Sequence, residues 1–252
     1  MKRIMKCCLA LALGLAVAGC SKESSGGGES GKLQEHKKVQ LWKDGPYWAE
    51  TNIGAENPWD SGYYFWWGDT VGYKRVNEAW FASDGSSSGF PPSRACDTRD
   101  KSFSDLLKKG WITADGVLAP EHDAAHVHWG GAWRMPTKLE LDDLCKKCDW
   151  TWAKTNDVNG YVVRGRGDYA SASIFLPCAG CCIGKNLSPL GSSCWSSVPG
   201  SDSHDKAWEL SFLDLPVDPR ILNPSNSTYV GSCRHTSRSI GCPVRPVQGV
   251  TK

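Results

Sequence analysis

Apolar residues in this chain come in short runs cut by Gly, Pro, Asn and Ser, and that habit excludes most architectures. "ASIFLP", "CWSS", "AWELSF" and "CPVRPV" each hold four to six residues, lengths that suit strands and not helices. One stretch, "RMPTKLELDDLCKKCDW", carries a full helix start. Thr137 is placed as N-cap and Glu140 follows three residues later, a capping box. The helix is expected to begin at Lys138, with Leu141, Leu144 and Cys145 facing inward. "SFSDLLKKG" reads as a short helix stopped by Gly110. "KVQLWKDGPYWAETNIG" reads as two strands about a KDGP turn, and "WTWAKTNDVNGYVVRGR" as a hairpin about NDVNG. With no internal repeat, the expectation is an α+β chain of few helices, short antiparallel strands and long loops.

The N-terminus sets what folds and where. Lys2, Arg3 and Lys6 precede an apolar core, Cys8 to Val17, too short to span a bilayer. "VAGC" fits the lipobox of a bacterial lipoprotein, so residues 1–19 read as signal peptide and Cys20 as the acylated residue. Residues 20–33 then form the acylated Cys and a Ser/Gly tether, and residues 34–252 one domain. The expected location is the bacterial outer membrane, lipid-anchored and surface-exposed. Removing the three basic signal residues takes the formal charge from +2 to −1. No basic run remains, so nucleic acid is not an expected partner.

Nine cysteines follow the signal and Cys20: Cys96, Cys145, Cys148, Cys178, Cys181, Cys182, Cys194, Cys233 and Cys242. Nine is odd, so at least one is free or pairs outside the chain. Export makes disulfides plausible, with connectivity open. "CKKC" and "CAGC" have zinc-like spacing, but the gap between them is long and the compartment oxidising. Cys145 and Cys148 also fall at a helix C-terminus, where the dipole disfavours a thiolate, so structural Cys is expected. His122 and His126 stand four apart, as helical metal ligands can, without an accompanying HExxH glutamate. Capping, surface or core histidines are the plainer reading, and no metal or cofactor is expected. No G-x-S-x-G, phosphate loop or G-x-G-x-x-G is present, and the chain reads as a binder, not an enzyme.

"WAETNIGAENPWDSGYYFWWGDT", "DAAHVHWGGAWRMPTKLELDDLCKKCDWTW", "VNGYVV", "SIFLPCAG", "CWSSVP", "AWELSF" and "VRPV" occur in that order. Together they resemble the Fibrobacter succinogenes major paralogous domain family, over about Gln40 to Val247. The resemblance implies a C-type-lectin-like fold, close to the formylglycine-generating enzyme group, whose loops and last strands present a binding surface. It implies no catalytic residues. The chain departs from the family pattern at Cys178, Cys181, Cys182, Cys194, Cys242 and Pro243, so exposed positions change type while the framework stays.

The stretch Leu210 to Val247 contains no Lys, Glu, Gln, Met or Trp. These five types make up 46 of 252 residues, so about seven would be expected in 38. Randomising both adenines of an Asn codon ending in a pyrimidine can never produce any of the five. That restriction is the signature of adenine-directed mutagenesis by a diversity-generating retroelement. The expected ligand contacts are Ser211, Asp214, Pro216, Asp218, Arg220, Asn223, Ser225, Asn226, Thr228, Cys233, His235, Ser237 and Ser239. Cys181, Cys182, Ser192 and Cys194 extend the variable-looking region to about 178–242, with Lys185, Lys206 and Glu209 necessarily fixed. A plain surface loop rich in Ser, Pro and Asn is the competing reading. Trp195, Trp208, Leu210, Phe212 and Val244 are expected inward, and Arg245 as a buried structural pair partner, with a ligand contact as the alternative.

The function that follows is a lipid-anchored binding module for an unknown protein or glycan ligand. A structural or adhesion envelope lipoprotein is the first alternative. A formylglycine-generating-type enzyme using Cys233 and Cys242 is the second.

Overall fold

A computed structural model describes residues 35–86, 97–188, 192–201, 204–212 and 231–249. The chain divides into two units, Met1–Lys32 and Leu33–Lys252, and every described residue belongs to the second. None of the described helices is long and apolar enough to cross a membrane.

β1 (Lys38–Gln40) and β2 (Tyr47–Ala49) pair antiparallel across the KDGP turn. Gly45 is required there, because a Cβ would lie 2.4 Å from Trp42 Nε1. β3 (Tyr73–Val76) and β4 (Ala79–Ala82) form a second hairpin that no strand signal in the sequence announces. Its turn residues, Asn77 and Glu78, both have positive φ, the type I′ geometry that matches strand twist.

α1 (Phe103–Lys108) is capped by Ser102 and closed by Gly110 at φ 73°. α2 (Ala124–Trp129) starts from Asp123, whose carboxylate accepts the Ala125 and His126 N–H groups. After β5 (Trp133–Arg134) comes α3 (Lys138–Lys147), where Thr137 and Glu140 close the expected capping box. Arg134 holds Glu140 with two bonds of 2.6 and 2.8 Å. Leu141 and Leu144 are fully buried, while the solvent side carries Lys138–Asp142 and Lys147–Asp143 pairs. This division is the one an amphipathic helix makes.

β6 (Asp149–Thr155), β7 (Val158–Arg164) and β8 (Ser173–Pro177) form one antiparallel sheet. The turn is Asn156–Asp157 alone, both at positive φ, so Val158, Asn159 and Gly160 belong to the strand. β9 (Cys181–Ile183) and β10 (Asn186–Ser188) make a small hairpin. β11 (Ser192–Pro199), β12 (Lys206–Phe212) and β13 (Gly231–Ser237) form the next sheet. β14 (Ile240–Gly241) pairs with β9, and β15 (Val247–Gln248) lies between β2 and β5. The described residues therefore form small antiparallel sheets with three short helices, the sheet-rich α+β arrangement expected.

The β11–β13 sheet sits between two apolar clusters. Cys194, Leu210 and Phe212 join Leu141, Leu144 and Tyr161 on the α3 side. Trp195 and Ala207 join Phe65, Trp67, Met135 and Val244 on the other. Burial on both faces removes the period-two pattern from β11 and β12.

Two expectations are corrected. Trp208 is only half-buried, its ring 3.8 Å from His235, with Lys138 Nζ 4.8 Å from its centroid. "CPVRPV" is not a strand along its length. Cys242 makes a single bridge to Phe65, and only Val247–Gln248 enter a sheet. Pro243 and Pro246 have no N–H to donate. Their carbonyls instead accept Trp195 N at 3.1 Å and Ala49 N at 2.9 Å.

Candidate recognition surface

β13 is the longest described element lying wholly within the C-terminal stretch Leu210–Val247, and its register is fixed from Gly231↔Phe212 to Ser237↔Lys206. In an antiparallel pair, opposed residues share a face. Gly231, Cys233 and His235 therefore lie with Phe212, Leu210 and Trp208 on the α3 side. Ser232, Arg234 and Thr236 lie with Ser211, Glu209 and Ala207 on the other. Ser232 and Arg234 are the exposed residues of this strand; Cys233, His235 and Ser237 are half-buried.

The placement revises the expected contacts. Ser211 is buried, its hydroxyl held by the Arg234 guanidinium, so the surface there is Arg234. Ser237 Oγ accepts the Ser239 N–H at 3.3 Å, and Ser239 is half-buried. His235 packs on Trp208, and its Nε2 is buried with no hydrogen-bond partner among the described residues. Asp214, Pro216, Asp218, Arg220, Asn223, Ser225, Asn226, Thr228 and the lipidation candidate Cys20 lie outside the described residues. Of the extended set, Cys182, Ser192 and Cys194 are buried and Cys181 is half-buried. Ser192 and Cys194 are turned inward from β11 and Cys182 from β9, each strand being covered on that side.

Beneath Arg234 lies a buried acid. Glu209 is 5% exposed. Its carboxylate stands 3.8 Å from Arg234 Nε and 3.8 Å from the Cys242 thiol. Burial pushes the Glu209 pKa up, against a Ser193 hydrogen bond and the Arg234 charge, which pull it down. Burial also raises the Cys242 thiol, assisted by Glu209 and Cys181. A thiol held protonated is a poor nucleophile.

Two buried arginines pin the surface to the frame. Arg245 donates to Asn52 Oδ1 (2.7 Å) and to the carbonyls of Ala49 (3.1 Å), Glu50 (2.8 Å) and Phe175 (3.0 Å). Burial lowers its pKa to about 10. Burial is as expected for it, but its bonds go to one amide and three carbonyl oxygens in place of the expected charged pair. Arg238 has the same role and no sequence signal marks it. It donates to the carbonyls of Lys206, Thr98, Lys101 and His204, and its guanidinium carbon lies 4.9 Å from the Trp67 centroid. Its acceptors come from the loop before α1 and from the start of β12 with the residue two before it, all distant in sequence, so nothing local points to it.

The other singled-out residues have structural settings. His122 stands in a single 3-10 turn, Pro120–His122, ahead of α2, and stacks on Trp111 at 3.8 Å. It does not share a helix with His126. His128 Nε2 bonds the Thr70 carbonyl oxygen at 2.8 Å. Cys148 is the C-cap of α3, and burial pushes its thiol up to about 12. A cleft of about 640 Å³ lies away from β13, lined by residues including Thr113, His126, Trp133, Arg134 and Ser197. Its most buried acid, Asp123, already accepts from Ala125, His126 and Met135 N–H groups.

No family model, no curated protein and no solved structure matches the chain.

Proposed function

We propose that this chain is a lipid-anchored, surface-facing ligand-binding module with a C-type-lectin-like fold, diversified in its C-terminal region by a retroelement. The observation that carries the reading is the complete absence of Lys, Glu, Gln, Met and Trp between Leu210 and Val247. A surface loop under ordinary selection has no reason to avoid Lys, Glu and Gln, which are among the residues most often exposed.

The burial of the stretch supports a division of labour. Leu210, Phe212, Val244, Arg245 and Val247 are buried and hold the fold. Ser232 and Arg234 are exposed, and both residue types are reachable from a randomised Asn codon. Substitution at Ser232 leaves the core untouched and costs little stability, whereas Arg234 also covers the buried Ser211 and Glu209. A repertoire of Ser, Asn, Tyr, Asp, His and Arg supplies adaptable hydrogen bonding, as in antibody loops. The ligand class is a protein or a glycan, reached from a membrane anchored through Cys20.

Sequencing the flanks of the gene tests the reading. Diversification requires a near-copy of the 3′ coding segment that differs at adenines, with a reverse-transcriptase gene beside it. A locus with neither leaves an ordinary loop. Metabolic labelling with a fatty acid tests the anchor separately: label is expected on the native chain and absent from Cys20→Ala.

A further inference from the structure

Cys145 and Cys233 come together where α3 packs on β13, and Cys145 is the largest influence raising the Cys233 thiol. α3 presents Cys145 from its inner face, and β13 presents Cys233 toward that face, opposite Leu210. The two side chains pack in the same apolar cluster. Cys233 Sγ lies 3.9 Å from the Lys138 carbonyl oxygen. Two residues earlier on the same side of β13, a Cβ on Gly231 would stand 3.3 Å from Cys145 Sγ. The Trp150 ring closes the same position at 2.9 Å, so the Cys145 thiol is held against the β13 backbone. From this juxtaposition we infer that Cys145 and Cys233 form a disulfide that ties β13 to α3.

The reaction needs an external oxidant, here a disulfide of the export compartment or oxidised glutathione. One Cys thiolate attacks the oxidant's sulfur and releases one thiolate. The second Cys then attacks the mixed disulfide, forms the Cys145–Cys233 bond and releases the other. Two protons leave the protein thiols, which are oxidised by two electrons, and the oxidant becomes two thiols. The Cys233 thiol is pushed well above its ordinary pKa by Cys145, by burial and by Asp142, which slows its own attack. The bond, once formed, resists reductants, because Cys145 is 6% exposed.

The consequence is mechanical. β13 follows the segment 213–230 and carries Arg234 to the surface. A covalent link at Cys233 fixes that strand's register against α3 whatever residues vary around it. The inference rests on the proposed export of the chain into an oxidising compartment.

Peptide mapping tests it on the full chain from its membrane fraction. Free thiols are blocked with iodoacetamide, the protein is digested without reductant, and cross-linked peptides are read by mass spectrometry. A Cys145 peptide joined to a Cys233 peptide is expected, and dithiothreitol should separate them. Cys145→Ser and Cys233→Ser should each lower Tm by about 10 °C, and the double variant should fall no further than either single one. Both residues alkylated in an exported chain whose other cysteines are cross-linked would overturn the inference. A chain found reduced in the cytosol would sink the export reading alone. The purified chain refolded in oxidised glutathione then decides: the Cys145–Cys233 link supports the inference, and any other partner for either residue overturns it.

Discussion

Replacing Arg245 with Met tests whether this residue holds the frame or meets a ligand. The substitution keeps the length of the side chain and removes every donor. Three of its four acceptors, Asn52 Oδ1 and the Ala49 and Phe175 carbonyl oxygens, lie in the interior. Each buried acceptor left unpaired costs about 1–3 kcal/mol, so the three together cost roughly 6 kcal/mol. Part of this is returned, because Met needs no desolvation. The lowering of the Arg245 pKa from 12.5 to about 10 corresponds to roughly 3 kcal/mol of that cost. The net expectation is a loss of about 3 kcal/mol, a large share of the ~5–15 kcal/mol that holds a typical domain. Urea unfolding followed by tryptophan fluorescence measures it, and Tm should fall by about 10 °C. An Arg245→Met protein as stable as the native one would refute the structural assignment and favour a ligand contact.

Folding raises the Glu209 pKa above its ordinary 4.5, so the native state binds that proton more tightly than the unfolded chain. The resulting stabilisation is complete below pH 4.5 and is lost as pH rises through the raised value. Glu209→Gln should therefore unfold at a higher urea concentration than the native protein at pH 7, and its stability should rise less on acidification. Thr137→Ala removes the cap of α3 and should cost about 1 kcal/mol, read as a lower urea midpoint with an unchanged slope. Gly160→Ala would bring a Cβ within 2.4 Å of the Leu176 carbonyl oxygen. The β7–β8 pairing must then shift, and Tm should fall by several degrees.

The parts that were legible in the sequence carry their own chemistry. α3 could be placed to the residue because Thr137 and Glu140 satisfy its first N–H groups, and the hairpin at Asn156–Asp157 because those residues tolerate positive φ. β13 could not be read. "GSCRHTS" has no alternation, since α3 covers one face and Glu209 with Ser211 lies beside the other. Without its register, Cys233, His235 and Ser237 pass for outward positions, when Ser232 and Arg234 are the exposed ones. Arg238 was silent for a related reason. A buried cation bound by four carbonyls is specified by segments that converge only in three dimensions.

Deep sequencing of the gene's 3′ end across a growing population measures diversification itself. If the region is a retroelement target, substitutions fall at codon positions that are adenine in a linked template. They should reach codons for exposed residues such as Ser232 and Arg234, and spare the codons for Leu210, Phe212, Arg238 and Arg245. Substitutions spread evenly over all four bases, or no variation above the rest of the gene, would contradict a diversified binding surface.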